Sequence, residues 1–226
     1  MRRRILRRLE DKVAISHTAI LVIDMQNSYF AQGSTVGDAT AKRSLIPRLQ
    51  QFINRARAKR VNIVFVRMVK TDDDISLQMR ARPNRRSAKN NMSAGSWGAK
   101  FLPEIQPQPR DIVIEKTKYN AFLNTPLDAR LRNRGIATLI VSGVYTNVCV
   151  GTTAQEGCMR DYHIVVPKDL VVGTEESLNE SYLLNISRYF GTVTSSDELL
   201  RIWEGRHEKS NSSGHNTNSL QRVGQT

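Results

Sequence analysis

Short runs of apolar, β-branched residues recur along this chain, separated by longer stretches whose apolar residues fall at helical spacing. A run such as AILVI carries no polar alternation, so both of its faces must be covered. Strands of that kind occur where helices pack on either side of a parallel sheet. The expected fold is therefore α/β, a three-layer αβα arrangement around a six-stranded parallel sheet. Its strands read as Thr18–Asp24, Asn62–Met68, Asp111–Glu115, Thr138–Val144, His163–Val166 and Thr192–Thr194.

The intervening segments carry helix signals. Leu45, Leu49, Phe52, Ile53 and Ala56 mark the first crossover. Thr125-Pro126 supplies an N-cap and a proline at the first helical position, Leu127 and Leu131 face inward, and Gly135 ends that helix. Val150–Arg160, Glu175–Phe190 and Ser195–Trp203 read as further helices. The connection from Val69 to Arg110 is too long for an ordinary loop and is rich in Gly and Pro, which predicts a partly helical insertion that covers a site.

At 226 residues the chain accommodates one sizeable domain. Residues 1–15 read as a basic N-terminal extension, residues 16–204 as the folded domain, and residues 205–226, polar and rich in Ser, Asn and Gly, as a disordered tail. With no apolar run of membrane-spanning length and no apolar core to a leader, a cytoplasmic location is expected. An Arg-rich start could serve as a transit peptide, but Glu10 and Asp11 follow closely and Ser is scarce. Two cysteines, Cys149 and Cys158, are too few for a disulfide framework and match no zinc spacing.

The net charge of +13 raises the possibility of nucleic-acid binding. The excess gathers in Arg2–Arg8 and in the acid-free stretch Arg80–Lys100, neither of which interleaves aromatics as a base-stacking platform would. Nucleic acid is not the expected partner. A basic scaffold protein that retains the fold is the non-enzyme alternative.

Ligands of open parallel sheets sit beyond the carboxyl ends of the strands. Three reactive residues fall there: Asp24 after the first strand, Lys116 after the third, and Cys149 at the start of the helix that follows the fourth. A helix N-terminus and a nearby cation both favour a thiolate, so Cys149 is expected to be an activated nucleophile, with Asp24 as its proton acceptor and donor. The turn Gly143–Asn147 is placed to aim backbone N–H groups at a substrate carbonyl.

The segments AILVIDMQNSYF, EKTKYNAFLNTPLDARLRNRGI and LIVSGVYTNVCVGTTAQ resemble the signature blocks of isochorismatase-like cysteine hydrolases, a likeness running from about Thr18 to Trp203. The resemblance implies a Rossmann-like fold and an Asp24–Lys116–Cys149 catalytic triad. It also implies a cis peptide between Val144 and Tyr145, with the N–H groups of Tyr145 and Cys149 as the oxyanion hole. The stretch GSWGAKFLPEIQPQPRDIVIEKTKYNAFLNTPLD is closest in character to ureidoacrylate amidohydrolases. This implies a small amide or ureide substrate, with Tyr119, Asn27 and Trp97 as candidate substrate contacts, and a homo-oligomer. Isochorismatases proper and nicotinamidases are the alternatives within the superfamily. The former have Gly where Cys149 stands. The latter bind a metal through histidines near the second strand, where this chain reads RMVKTDDD; its four histidines, His17, His163, His207 and His215, lie elsewhere, so neither metal nor cofactor is expected.

Overall fold

The computed structural model describes residues 5–31, 39–70 and 92–205. Residues 1–4, 32–38, 71–91 and 206–226 lie outside the described residues, and with them the Arg2–Arg4 cluster, the TDDD half of the RMVKTDDD stretch and nearly all of the expected tail.

All six expected strands form, as β1 (Thr18–Ile23), β2 (Asn62–Met68), β3 (Ile112–Lys116), β4 (Thr138–Val144), β5 (His163–Pro167) and β7 (Thr192–Thr194). A two-residue strand, β6 (Val171–Val172), was not expected; it is too short to show a periodic pattern and pairs with β4 after β5 has turned away. Every strand pair is parallel, and the order is β3-β2-β1-β4-β5-β7. The chain thus builds one half of the sheet outward from β1 and the other outward from β4. The seam between them is the switch point at which open α/β sheets bind ligands.

Two apolar layers cover the sheet. On one face Ile20, Val22, Phe65 and Ile140 meet Leu45, Leu49, Phe52 and Ile53 of α3 (Ala39–Ala58), together with Leu199, Leu200 and Trp203 of α7 (Ser196–Trp203). On the other face Leu21, Ile23, Val64 and Val141 meet Leu127 and Leu131 of α4 (Leu127–Arg132) and Ala154 of α5 (Gly151–Met159). Alternate residues of one strand enter opposite layers, as the pleat requires.

Two helices differ from expectation, one at its start and one at its end. A π-helical turn, Thr146–Val150, precedes α5, and a second, Ile186–Phe190, extends α6 (Glu176–Asn185). The Ser195 hydroxyl caps α7 by accepting from the Glu198 N–H at 3.2 Å. Part of the N-terminal segment belongs to the packed structure: Val13 is buried, its carbonyl accepts from the Trp203 indole at 2.8 Å, and Trp203 stacks on Phe52.

Residues 71–91, on which the rest of the expectation of a partly helical segment falls, lie outside the described residues, and the described part of the insertion at residues 92–110 contains no helix. Its prolines and glycines favour turns, and it is held instead by Phe101, Leu102 and Ile105, which bury their side chains under the sheet rim. The Leu102 N–H donates to the Met25 carbonyl at 3.0 Å, and Gln26 and Phe101 form an antiparallel bridge. The insertion therefore lies across the residues that follow β1.

Candidate active site

β1 is buried at all six positions, and Asp24 is the first residue beyond it. The Asp24 N–H still donates to the Val66 carbonyl of β2 at 2.9 Å, but φ turns to 55°, a left-handed conformation that Asp tolerates better than most side chains. Gln26 fixes this turn from below. Its amide nitrogen donates to the Met68 and Ala99 carbonyls at 2.9 and 3.0 Å, while its oxygen accepts from the Met68 N–H at 2.7 Å. One buried side chain thereby ties the ends of β1 and β2 to the insertion.

Lys116 is the last residue of β3. On this edge strand Ile112, Ile114 and Lys116 face inward while Val113 and Glu115 face out, so the pleat sends a lysine into the sheet's covered side. The Lys116 amine donates to Asp24 Oδ2 at 2.8 Å and lies 3.3 Å from Cys149 Sγ. All three residues are at most 3% exposed. Burial alone would lower the ammonium's pKa; Asp24 and then Cys149 outweigh it and hold Lys116 above its usual value.

Cys149 arrives from the opposite half of the sheet. β4 ends beside β1 at Gly143, whose φ is +106° and whose missing Cβ would stand 2.0 Å from the Ile23 carbonyl oxygen. Only glycine allows the two strands to approach this closely at the seam. The next peptide, Val144–Tyr145, is cis. The Tyr145 carbonyl then accepts from the N–H groups of Val148 and Val150, at 2.9 and 3.1 Å, and Cys149 lies between these two donors in the first turn. Asn147 anchors the same turn, donating to Thr174 Oγ1 at 2.8 Å and accepting from the Thr174 N–H at 2.9 Å.

Asp24, Lys116 and Cys149, separated by up to 125 positions in sequence, therefore share one buried locus at the switch point. The isochorismatase domain model matches residues 18–198. The chain belongs to the isochorismatase family. Among its curated relatives is the ureidoacrylate amidohydrolase of Methylorubrum extorquens, 34% identical over 212 residues that span 82% of this chain and 86% of the relative. Among solved structures, a cysteine hydrolase from Pseudomonas syringae pv. phaseolicola superposes with a TM-score of 0.77 at 25% identity, covering 92% of this chain and all of that one. The N-carbamoylsarcosine amidase of Thermoplasma acidophilum matches with a TM-score of 0.68 at 27% identity, covering 80% and 97% of the two chains.

The electrostatics of this isochorismatase-family site correct one sequence expectation. Burial pushes the Cys149 thiol well above its ordinary pKa, Asp24 pushes it further, and Lys116 only partly opposes them. The resting sulfur is a neutral thiol, because a cation already paired with a carboxylate cannot offset the loss of water around the sulfur. Asp24 Oδ1 is buried and has no hydrogen-bond donor among the described residues, which leaves an open acceptor in the same locus.

The expected substrate contacts divide between two places. Tyr119, three residues beyond Lys116, is half-buried and packs against the cluster that contains Cys149. Asn27 is buried, but its amide donates to the Trp97 carbonyl at 3.0 Å, a role in fixing the insertion. Trp97 is 61% exposed and, together with Asn27, lines a groove of about 620 Å³ with Arg67, Phe101 and Val113 on the outer face of β3; none of Asp24, Lys116, Tyr119 and Cys149 lines that groove. Tyr29 was not singled out from sequence. It meets Tyr145 edge to face at 5.6 Å, and it had no distinguishing signal beyond lying five residues past Asp24. Among the described residues no three His, Cys, Asp or Glu side chains gather as a metal site would require, and no helix is long and apolar enough to cross a membrane.

Proposed function

We propose that this chain is a cysteine amidohydrolase that cleaves a C–N amide or ureide bond of a small molecule through a covalent intermediate on Cys149. The observation that carries this reading is the single amine of Lys116 within 2.8 Å of Asp24 and 3.3 Å of Cys149, with all three side chains buried. Support also comes from the relatives, which are named for amide and ureide hydrolysis.

The chemistry follows from the charges. Asp24 takes the thiol proton as the sulfur attacks the substrate carbonyl, and Lys116 stabilises the thiolate as it forms. The carbonyl oxygen becomes an oxyanion held by the backbone N–H groups of Tyr145 and Cys149. Collapse breaks the C–N bond, and Asp24 returns the proton to the departing nitrogen. A water molecule then gives a proton to Asp24 and attacks the thioester carbon, releasing the acid and regenerating the thiol. Because the thiol rests neutral, base and nucleophile must act together. The catalytic unit on this reading is residues 16–204, acting in the cytoplasm as a homo-oligomer.

The test is ammonia and acid release from a panel of amides and N-carbamoyl compounds, with isochorismate and nicotinamide included, by the wild type and by Cys149→Ala. Turnover of at least one C–N substrate that is lost in Cys149→Ala supports the reading. Turnover retained in the variant removes it, and cleavage of isochorismate alone transfers the chain to the vinyl-ether branch.

A further inference from the structure

The two residues of β6 pair with the last two of β4: Val171 lies opposite Gly143, and Val172 opposite Val144. On its other flank β4 has lost its partner by then, because the register with β1 ends at Ile23 opposite Gly143. At Val144, the residue before the turn that leads to Cys149, the sheet holds the chain from the β6 side alone among the described residues.

The segment that forms β6 then takes hold of the chain a second time. Thr174 Oγ1 accepts from the Asn147 side-chain amide at 2.8 Å, and the Thr174 N–H donates to Asn147 Oδ1 at 2.9 Å. Val171–Thr174 therefore grips the catalytic turn at both ends, by backbone pairing before Tyr145 and by this double bond after it.

The grip is itself braced. At its start Asp169 accepts from the Ser196 N–H at 2.8 Å and from the Ser196 hydroxyl, which ties the segment to the first residue of α7. Leu170 and Val171 are buried. Gly173 fits because it lacks a side chain: a Cβ there would stand 2.7 Å from the Asn179 Cβ of α6. Further along α6, Tyr182 lies against Gly151, where a Cβ would stand 2.6 Å from the tyrosine ring. The segment and the helix it feeds thus touch the chain at Asn147 and at Gly151, two residues to either side of Cys149.

On the reaction proposed above, the N–H groups of Tyr145 and Cys149 hold the oxyanion, and Asn147 stands midway between them in sequence. Such donors act only when aimed at the place where negative charge develops, and a displacement of about 1 Å can cost about 10²-fold in rate. A side chain that fixes Asn147 therefore governs both donors at once.

We infer that Thr174 is a positioning residue for this reaction: through Asn147, its hydroxyl keeps the Tyr145 and Cys149 N–H groups trained on the substrate carbonyl oxygen as that oxygen becomes negative. This rests on the C–N hydrolase reading given above. Thr174 acts through Asn147 and not on the substrate, so its effect falls on the chemical step and not on ground-state binding.

The experiment compares kcat, KM and iodoacetamide alkylation of Cys149 in the wild type, Thr174→Val, Thr174→Ala and Thr174→Ser. The substrate is the best amide or ureide of the panel, and every protein is assayed well below its Tm. Thr174→Val keeps the shape and the N–H bond to Asn147 but removes the hydroxyl acceptor. It should lose about tenfold in kcat with KM within about twofold, because the donors are displaced and not removed. Thr174→Ala takes away the same oxygen without adding a methyl and should show the same loss, so the result does not hang on the folding of one variant. Thr174→Ser keeps the oxygen and should restore kcat. Alkylation uses the sulfur but no oxyanion donor, and should stay near the wild-type rate throughout. Wild-type kcat in Thr174→Val or Thr174→Ala overturns the inference while leaving the hydrolase reading intact. So does a loss carried by KM, a loss that Thr174→Ser shares, or alkylation that falls in step with kcat. Turnover retained in Cys149→Ala, or a wild type inert on the whole panel, defeats the underlying reading instead.

Discussion

Replacing Lys116 with Met keeps most of the side-chain volume and removes one charge from a pair whose side chains are both 0% exposed. At 2.8 Å the attraction between ammonium and carboxylate is about 6 kcal/mol if an effective dielectric of about 20 applies. In the intact pair, desolvation of two ions consumes much of that. In Lys116→Met the lysine's share of the desolvation cost disappears, but Asp24 remains buried and unpaired, so a loss of about 3–5 kcal/mol is expected. For a domain of this size that is a fall of about 6–20 °C in Tm. The pH dependence gives a sharper test. In the wild type the raised Lys116 contributes stability that is fully present below its ordinary value and is lost only as pH rises through the still higher folded value, so the Lys116 contribution is level from pH 5 to 9. In the variant that contribution is absent, so the deficit against the wild type should persist throughout pH 5 to 9. Thermal and urea denaturation across that range would measure it, and Asp24→Asn/Lys116→Met should recover most of the loss. A single variant that unfolds within about 1 kcal/mol of the wild type would refute the claim that the pair is buried and mutually dependent.

Other consequences can be checked in parallel. Since the Cys149 thiol is held up by burial and by Asp24, alkylation of the wild type by iodoacetamide should keep accelerating past pH 9 without a plateau near the ordinary thiol value. Asp24→Asn should speed alkylation at pH 7, because Lys116 then acts unopposed, while turnover falls about 10³-fold; slower alkylation would contradict the assigned charges. Gly143→Ala should prevent accumulation of folded protein, since a Cβ 2.0 Å from the Ile23 carbonyl forces β1 and β4 apart; a soluble variant of wild-type Tm would show the seam to be looser than described. Gln26→Leu leaves the Met68 N–H and the Met68 and Ala99 carbonyls without their partner, and should cost about 2–4 kcal/mol in urea denaturation.

The strands were legible because AILVI, NIVFV and TLIVSGV are apolar on both faces, a pattern that only a covered parallel sheet accepts. AILVI and TLIVSGV lead to Asp24 and Cys149 beyond their carboxyl ends, and DIVIEK ends on Lys116, so the locus could be named before its geometry was known. β6 was not legible, since two residues carry no period, and neither were the π turns, which share their side-chain pattern with α-helix. Trp97 shows the limit of reading contacts from sequence. It lies within the insertion expected to cover the site, yet the pleat of β3 puts its groove on the outer face, across the sheet from Lys116. The state of the Cys149 thiol was misread for a related reason: local features such as a helix start are visible in sequence, while the depth of enclosure that outweighs them is set by the whole fold. Tyr29 went unnoticed because an aromatic in NSYF is ordinary until the chain brings it beside Tyr145.

Acid-quenching the wild type during turnover of its best amide or ureide substrate, followed by intact-mass and peptide analysis, tests the covalent role of Cys149 most directly. The account predicts an added acyl or carbamoyl mass confined to the peptide that bears Cys149, and none in Cys149→Ala. Rapid turnover with no modified enzyme at any quench time, or the same mass found on another residue, would contradict it.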